Sequence, residues 1–470
     1  MEASASSSST DAAAAPATAE MVPVFAPRKR PLRPWDEPGF KCPYLDTINR
    51  MVLDFDFEKA CSVTGHNFNV YACLVCGKYF QGRGKHTQAY THALQEGHHV
   101  YMNLQDGHTY CLPDGYEVID TSLSDIRNML APTYTKQMVS TLDTVPVYSR
   151  GVDGSDYMPG LVGLNNIKNT DYVNVVVQSL ARVPPIRDFF LLPANYAHVK
   201  SPLVVEFGAL IRKVWSPFNF KGQVSPHELL QAIMHASNNK FKIGAQTDPM
   251  DFLAWLLNAL HTALGGTRKP GSSIIHKALQ GSVEVTTVKA GMDEADEGAT
   301  SVKELPFLYL TVDVPAAPLF KDALERNIIP QIPLISCLTK FDGSTEQEMM
   351  NGDKRRYVLK QLPRYLVVHI KRFSQNTQQF TEKNPTIVNF PVKGLEMGNY
   401  VSPPTSKKYH LMASLQHDGT PDAGSYRAFV HFRANDQWYE VQDLHVNGVH
   451  PQLISVSESY IQVWRRDEEE

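Results

Sequence analysis

Two stretches of this chain carry residues whose types and spacing could do chemistry. The first is CLVCGKYFQGRGKHTQAYTHALQEGHH (73–99). Its C-x-x-C knuckle can put two thiolates on one metal, and two histidines spaced H-x5-H can close a tetrahedron around zinc. This density of ligands fits zinc better than two buried thiols beside surface histidines. Spacing alone leaves the histidines open, because His86/His92 and His92/His98 are spaced alike. The second stretch, GLNNIKNTDYVNVVVQSL (163–180), reads as a loop delivering one residue to the start of a helix. A helix N-terminus favours a thiolate nucleophile, yet the residue there is Asp171. An aspartate at that place makes a good N-cap, accepting from orphan backbone N–H groups. Such contacts would stabilise its charged form. A lone carboxylate without a partner acid is no nucleophile for an amide.

The elements that must position these residues follow from pattern. The chain has 470 residues, is 43% hydrophobic and 20% charged, and has a net charge of −4. That is ordinary globular composition, and it argues against nucleic-acid binding through overall charge. No apolar run is long enough to span a bilayer, and the Ala/Ser-rich start lacks the form of a secretory signal. Six cysteines, two of them in C-x-x-C beside histidines, suit a metal in a reducing compartment better than a disulfide framework. Three regions are expected: a disordered tail (1–38), a small metal-stapled module with its connector (39–145), and a larger domain (155–467). The tail carries PRKRPLRP (27–34), which is either a solvated linker or a nuclear import signal. In the larger domain, Val173, Val176, Val177 and Leu180 share one helical face, and FLAWLLNAL (252–260) repeats the pattern. Strands follow at SVEVTTV (282–288), FLYLTVDV (307–314), RYLVVHIKRF (364–373), YHLMASLQH (409–417), SYRAFVHF (425–432) and QWYEVQDLHV (437–446). The acidic MDEADEG (292–298) reads as a solvated excursion. The fold class is α+β, helices first and then an antiparallel sheet.

Residues 42–119 resemble the ubiquitin-binding-protein type zinc finger. The resemblance implies one complete, structural zinc site at Cys73, Cys76, His92 and His98. It implies that the family's second site has eroded, with Cys61 left among Thr64, Gln81 and Gln88. A third has eroded likewise, with Tyr44 and Asp114 in ligand positions beside Cys42 and Cys111. Arg83 matches the arginine that holds ubiquitin's C-terminus, but Tyr110 replaces a Trp and Leu112 an aromatic hydroxyl. Ubiquitin binding is therefore expected to be weak or absent.

The larger domain resembles the ubiquitin-specific protease fold, a papain-like arrangement of thumb, palm and fingers. The blocks that carry the resemblance are GLNNIKNTDYVNVVVQSL (163–180), QTDPMDFLAWLL (246–257), LPRYLVVHIKRF (362–373), YHLMASLQHDGTPDAGSYRAFV (409–430) and WYEVQDLHV (438–446). It implies that Asp171 stands in the position of the nucleophilic cysteine and Ser425 in that of the general-base histidine. The orienting residue (Asp443) and the oxyanion donor (Asn166) are retained. No catalytic residue set is expected. His431 lies six residues along the strand from Ser425, roughly 20 Å away. His417 reads as a turn residue, and Cys337 falls outside every matched block. The second zinc of the fingers has no ligands, because no C-x-x-C follows residue 76.

Taken together, a reduced finger and NNIKNTDY with Asp in the cysteine slot are similar to the Sad1-like, tri-snRNP-associated ubiquitin-protease homologues. That similarity implies a nuclear, non-catalytic scaffold partnered by proteins of the spliceosomal U4/U6·U5 tri-snRNP, with snRNA met indirectly and no membrane. It also favours the import reading of the basic cluster. A second reading is a ubiquitin or ubiquitin-like receptor, allowed by Asp251, Phe252 and the LPRYLVVHIKRF strand. A third, an active deubiquitinase, needs residues that the matched blocks do not supply.

Overall fold

The structure, a computed structural model, describes residues 33–467 except 38, 293–298, 316–329, 376–380, 405 and 422. The Ala/Ser-rich tail, most of the basic cluster and the acidic stretch 293–298 lie outside the described residues. The chain divides into two compact units, Met1–Pro43 and Tyr44–Glu470. The first contributes the short turn Pro34–Asp36. The second holds everything discussed below.

Its N-terminal part is a five-stranded antiparallel sheet, ordered Tyr79–Gln81, Val70–Cys73, Val100–Asn103, Thr109–Cys111, Tyr116–Glu117. The helix Gln88–Glu96 lays Ala89 and Ala93 against Tyr71, Phe80, Tyr101 and Leu112. So small an apolar cluster is a weak anchor, and a metal staple is the usual remedy. Two short helices follow, Ser124–Leu130 and Lys136–Thr141; Thr135 caps the latter by accepting from the Met138 N–H.

The helices Asp171–Leu180, Pro184–Leu191, Pro202–Val214, His227–Ala236 and Pro249–Ala263 come next. Three of them start on proline, whose fixed φ and missing N–H suit the first turn. The helix Asp171–Leu180 departs from the one-face expectation, because all ten of its residues are buried. It runs through the centre of the domain, between the large sheet and the helix Pro249–Ala263. A helix covered all round has no solvent face to reserve.

The large sheet is ordered Leu310–Asp313, Tyr365–Lys371, Ser459–Arg466, Lys408–Thr420, Ala423–Phe432, Gln437–Gln442, His445–Val449, with Leu395–Glu396 beside Lys408–Thr420. Only its first pair is parallel. Its central strands alternate between two cores. Tyr365 and Val367 face the helices, and Leu366 and Val368 face the second cluster around Trp438 and Trp464. Burial on both sides explains why YLVV (365–368) is apolar at consecutive positions instead of alternating.

A separate sheet is ordered Thr300–Phe307, Gly281–Val288, Lys354–Gln361, Gln347–Glu348. Two expected strands resolve differently. FLYLTVDV is the end of Thr300–Phe307 followed by Leu310–Asp313, which joins the other sheet. QWYEVQDLHV breaks at Asp443, whose φ of 48° turns the chain into a hairpin with His445–Val449.

Candidate functional site

The metal ligands come from three kinds of local structure. Cys73 ends a strand, and the knuckle closes with the Gly77 N–H donating to the Cys73 carbonyl at 2.9 Å. Gly77 has φ 75°, and a Cβ there would sit 2.3 Å from the Val52 carbonyl oxygen, so only glycine fits. His92 projects from the helix Gln88–Glu96, and His98 follows the left-handed cap at Gly97. Four ligand atoms, one each from Cys73, Cys76, His92 and His98, lie within 4.8 Å of one another. Cys73 Sγ is 3.5 Å from His98 Nδ1, Cys76 Sγ 3.5 Å from His92 Nε2, and the two ring nitrogens are 3.1 Å apart. Two sulfurs and two imidazole nitrogens in this arrangement suit tetrahedral zinc. Phe80 stacks on the His92 ring at 4.1 Å and holds it in place. His86, at φ 67° on the exposed loop, lies outside the cluster.

Hydrogen bonds occupy the positions where the resembled family has its second site. Thr64 Oγ1 donates to Gln81 Oε1 at 3.3 Å, His66 Nδ1 lies 3.2 Å from the same oxygen, and the Cys61 N–H donates to the His66 carbonyl at 2.8 Å. Tyr44 stacks on His99 at 4.0 Å. Arg83 lies over the Tyr110 ring at 4.1 Å, and Leu112 is fully buried beneath the sheet. Arg83 therefore covers one face of the Tyr110 ring, and the buried Leu112 offers nothing to a peptide.

At the start of the central helix the structure brings Asn166, Asp171 and Asp443 together, with Ser425 on the adjoining strand. Asp171 is the first helical residue and not the cap; the cap is Thr170, whose N–H donates to Asn166 Oδ1 at 2.9 Å. The Asp171 carboxylate turns instead toward the strand Ala423–Phe432. Its Oδ2 accepts from the Tyr426 N–H at 2.9 Å, and both oxygens accept from Gln246 Nε2, at 3.1 and 2.9 Å. Gln246 Nε2 also donates to the Gly424 carbonyl at 3.1 Å, so one amide ties helix and strand together. Burial raises the Asp171 carboxyl above its ordinary range, against the pull of the Tyr426 N–H and with Asp443 adding to the rise. This corrects the expectation of a cap stabilised in its charged form, because at 3% exposure desolvation outweighs the hydrogen bonds.

Asp443 is held by two amides, Asn166 Nδ2 on Oδ2 and Asn174 Nδ2 on Oδ1, each at 3.0 Å. Ser425 has a different partner: its Oγ accepts from Gln442 Nε2 at 3.3 Å. His417 is not at a turn. It sits inside the strand Lys408–Thr420, 3% exposed, with its ring against Phe373 and Tyr426. That ring fills the space beside Gly424, where a Cβ would come within 2.2 Å of Nε2. His431 pairs with Asp436 at 2.8 Å, and Cys337 is buried in the second core, which pushes its thiol up.

Gln246, Asn174 and Lys213 escaped the sequence reading. Asn174 left a signal as an amide inside an apolar helix. Lys213 left a fainter one, as a lysine in the apolar run of Pro202–Val214. Its Nζ donates to Asp56 Oδ1 and to the Phe55 carbonyl, both at 2.9 Å, and Asp56 Oδ2 accepts from the Ser225 N–H at 2.8 Å. These bonds dock the segment that leads into the finger onto the helices.

The comparisons with known proteins agree with this architecture. The ubiquitin carboxyl-terminal hydrolase family matches residues 162–464, and the Zn-finger in ubiquitin-hydrolases matches residues 61–123. The chain is 49% identical over 456 residues to ubiquitin carboxyl-terminal hydrolase 39 of Mus musculus, covering 91% of this chain and 81% of that protein. It is 43% identical over 447 residues to the probable mRNA-splicing protein ubp10 of Schizosaccharomyces pombe, covering 90% and 88%. Among solved structures, that of an essential yeast splicing factor superposes with a TM-score of 0.76 at 27% identity, covering 90% of this chain and all of the other. The chain therefore belongs to the ubiquitin carboxyl-terminal hydrolase family, in the group that includes ubiquitin carboxyl-terminal hydrolase 39.

Proposed function

We propose that this chain is a non-catalytic scaffold for pre-mRNA splicing, acting in the nucleus with proteins of the U4/U6·U5 tri-snRNP. The observation that carries this reading is Asp171, fixed by Gln246 and the Tyr426 N–H where an active relative would present a thiolate. Cysteine chemistry also needs a base beside the thiol and a carboxylate to orient it. Ser425 offers no base, and the Asp443 carboxylate is spent on Asn166 and Asn174. The names of the relatives ubp10 and pre-mRNA-splicing factor SAD1 of Saccharomyces cerevisiae support the splicing role.

On this reading the module spanning 39–145 carries a single structural zinc on Cys73, Cys76, His92 and His98, and the domain spanning 155–467 contributes shape and no turnover. The test is hydrolysis of a fluorogenic ubiquitin substrate by wild type, Cys337→Ser and Asp171→Cys/Ser425→His. Wild type and Cys337→Ser should be inert. The double variant should be slow at best, because Asp443 must first release two amides. Wild-type turnover that survives repurification would overturn the proposal. Affinity purification from nuclear extract should recover spliceosomal proteins and snRNA; ubiquitin conjugates alone would favour the receptor reading.

A further inference from the structure

Tyr101 brings a polar atom into the dry core of the finger. The strand Val100–Asn103 sets it directly opposite Cys73, so the two side chains share one face of the sheet. The residue is fully buried, in the small cluster that also holds Cys73, Tyr71, Phe80 and Leu112. Its ring stands edge-on to His92, with centroids 6.3 Å apart and planes at 89°. Both Cys73 and His92 belong to the metal cluster.

A phenol buried in this way ordinarily finds a hydrogen-bond partner. The Tyr101 hydroxyl is shielded from solvent, and no nitrogen or oxygen of the described residues pairs with it. A phenylalanine would fill the same space without an oxygen to satisfy, so the hydroxyl calls for an acceptor of another kind. The group within its reach is the Cys73 sulfur. Burial raises the phenol far above its ordinary range; the charge of Cys73 and its hydrogen bond with the phenol raise it further, and the charge of Cys76 adds a smaller share. A phenol so held keeps its proton and acts as a donor.

We propose, on the zinc reading of this site, that the Tyr101 hydroxyl donates to the Cys73 thiolate when metal is bound. A hydrogen bond to an ionised acceptor is stronger than one between neutral groups, and a thiolate that accepts one shares its charge and attacks electrophiles less readily. Partners of this kind, which touch a ligand and not the metal, commonly tune metal affinity by about 10–100-fold. Tyr101 is thus a positioning residue of the metal site: its ring stands against His92, and its oxygen holds the Cys73 sulfur. The two sulfurs then differ in kind. Cys73 is fully buried beside the phenol, whereas Cys76 is partly open to solvent.

Tyr101→Phe removes the oxygen and keeps the ring. Zinc affinity of the full-length chain, measured by competition with a chromogenic chelator, should fall about tenfold or more in this variant. In the cobalt-substituted chain the sulfur-to-cobalt charge-transfer band should move to lower energy, because a thiolate relieved of a hydrogen bond gives up its electrons more readily. Tyr71→Phe, in the same small core, should leave both readouts where they are. Zinc affinity of Tyr101→Phe within about twofold of wild type, an unmoved cobalt band, or an equal shift in Tyr71→Phe would each overturn the role given to Tyr101 while leaving the zinc reading intact. A wild type that takes up neither metal would remove both. If Tyr101→Phe takes up no cobalt, the wild type decides alone: loaded with a spin-active cadmium isotope, it should show a slowly exchanging tyrosine hydroxyl proton coupled to the metal through sulfur. Absence of that coupling would overturn the proposal.

Discussion

Replacing Lys213 by methionine keeps the length of the side chain and deletes its charge. In the wild type the ammonium satisfies Asp56 Oδ1 and the Phe55 carbonyl at 2.9 Å each, and the two side chains are only 10% and 15% exposed. In Lys213→Met the Asp56 carboxylate keeps just the Ser225 N–H, and the Phe55 carbonyl loses its side-chain donor. Removing one partner of a buried pair typically costs about 3–5 kcal/mol. At about 1.4 kcal/mol per tenfold, that is roughly a hundred- to several-thousand-fold more frequent opening. Hydrogen exchange followed by mass spectrometry should find it in residues 53–56 and 223–225, while the strands 365–371 and 459–466 keep their protection. The pair variant Lys213→Met/Asp56→Asn should recover most of the loss, since an asparagine oxygen still accepts from Ser225 without a stranded charge. Exchange in Lys213→Met within a few-fold of wild type would refute the idea that this pair docks the segment that leads into the finger. So would a pair variant whose losses simply add.

Cys76→Ser, or chelation, should remove one zinc per molecule and strip protection from 70–112 ahead of the rest, because metal binding is part of that region's folding free energy; elemental analysis giving two or three zincs would contradict this. Asp171→Ala orphans the Tyr426 N–H and should cost about 1–3 kcal/mol, more than Asp171→Asn, as read from denaturant midpoints. Burial raises the Asp171 carboxyl, so its contribution is fully present below its unfolded pKa and is lost as pH rises through the folded value. Wild type should accordingly gain on Asp171→Asn as the solution is acidified, and a gap that widened toward neutral pH would reverse the argument. Titration of ubiquitin should give no saturable micromolar signal, and Arg83→Ala should change nothing, given that Arg83 covers one Tyr110 face and Leu112 is buried.

Where burial alone selects the residues, the sequence was a sufficient guide. The β-branched and aromatic stretch at 364–373 read as a strand, and Tyr365–Lys371 is one; the C-x-x-C knuckle read as two metal ligands, and Cys73 and Cys76 lie in one cluster. Legibility failed where polar atoms answer one another over long separations. Lys213 meets Asp56 across 157 residues, and Gln246 reaches Asp171 across 75. Neither pairing leaves a local period. Thr300–Phe307 was missed because it is exposed along nearly its whole length and so shows no alternation. His417 was misread because H-x-G resembles a turn, whereas the missing Cβ of Gly424 on the next strand makes room for a buried ring. At Asp171 the residue type was plain but its direction was not: the carboxylate faces the neighbouring strand, and no rule about helix ends reveals which strand that will be.

The lobe around Cys61 bears on how this protein meets a shortage of metal. Its loop is fastened to the strand Tyr79–Gln81 through Thr64, His66 and Gln81, side chains that trade hydrogen bonds with water in place of ligands that trade zinc. During synthesis that closure needs no ion from the cell and can form as soon as residue 81 has emerged. Afterwards an oxidant or chelator that empties the Cys73 site finds nothing to extract here. The demand for a metal thus falls on the cluster of Cys73, Cys76, His92 and His98, and among the described residues the Cys61 loop adds no second cluster.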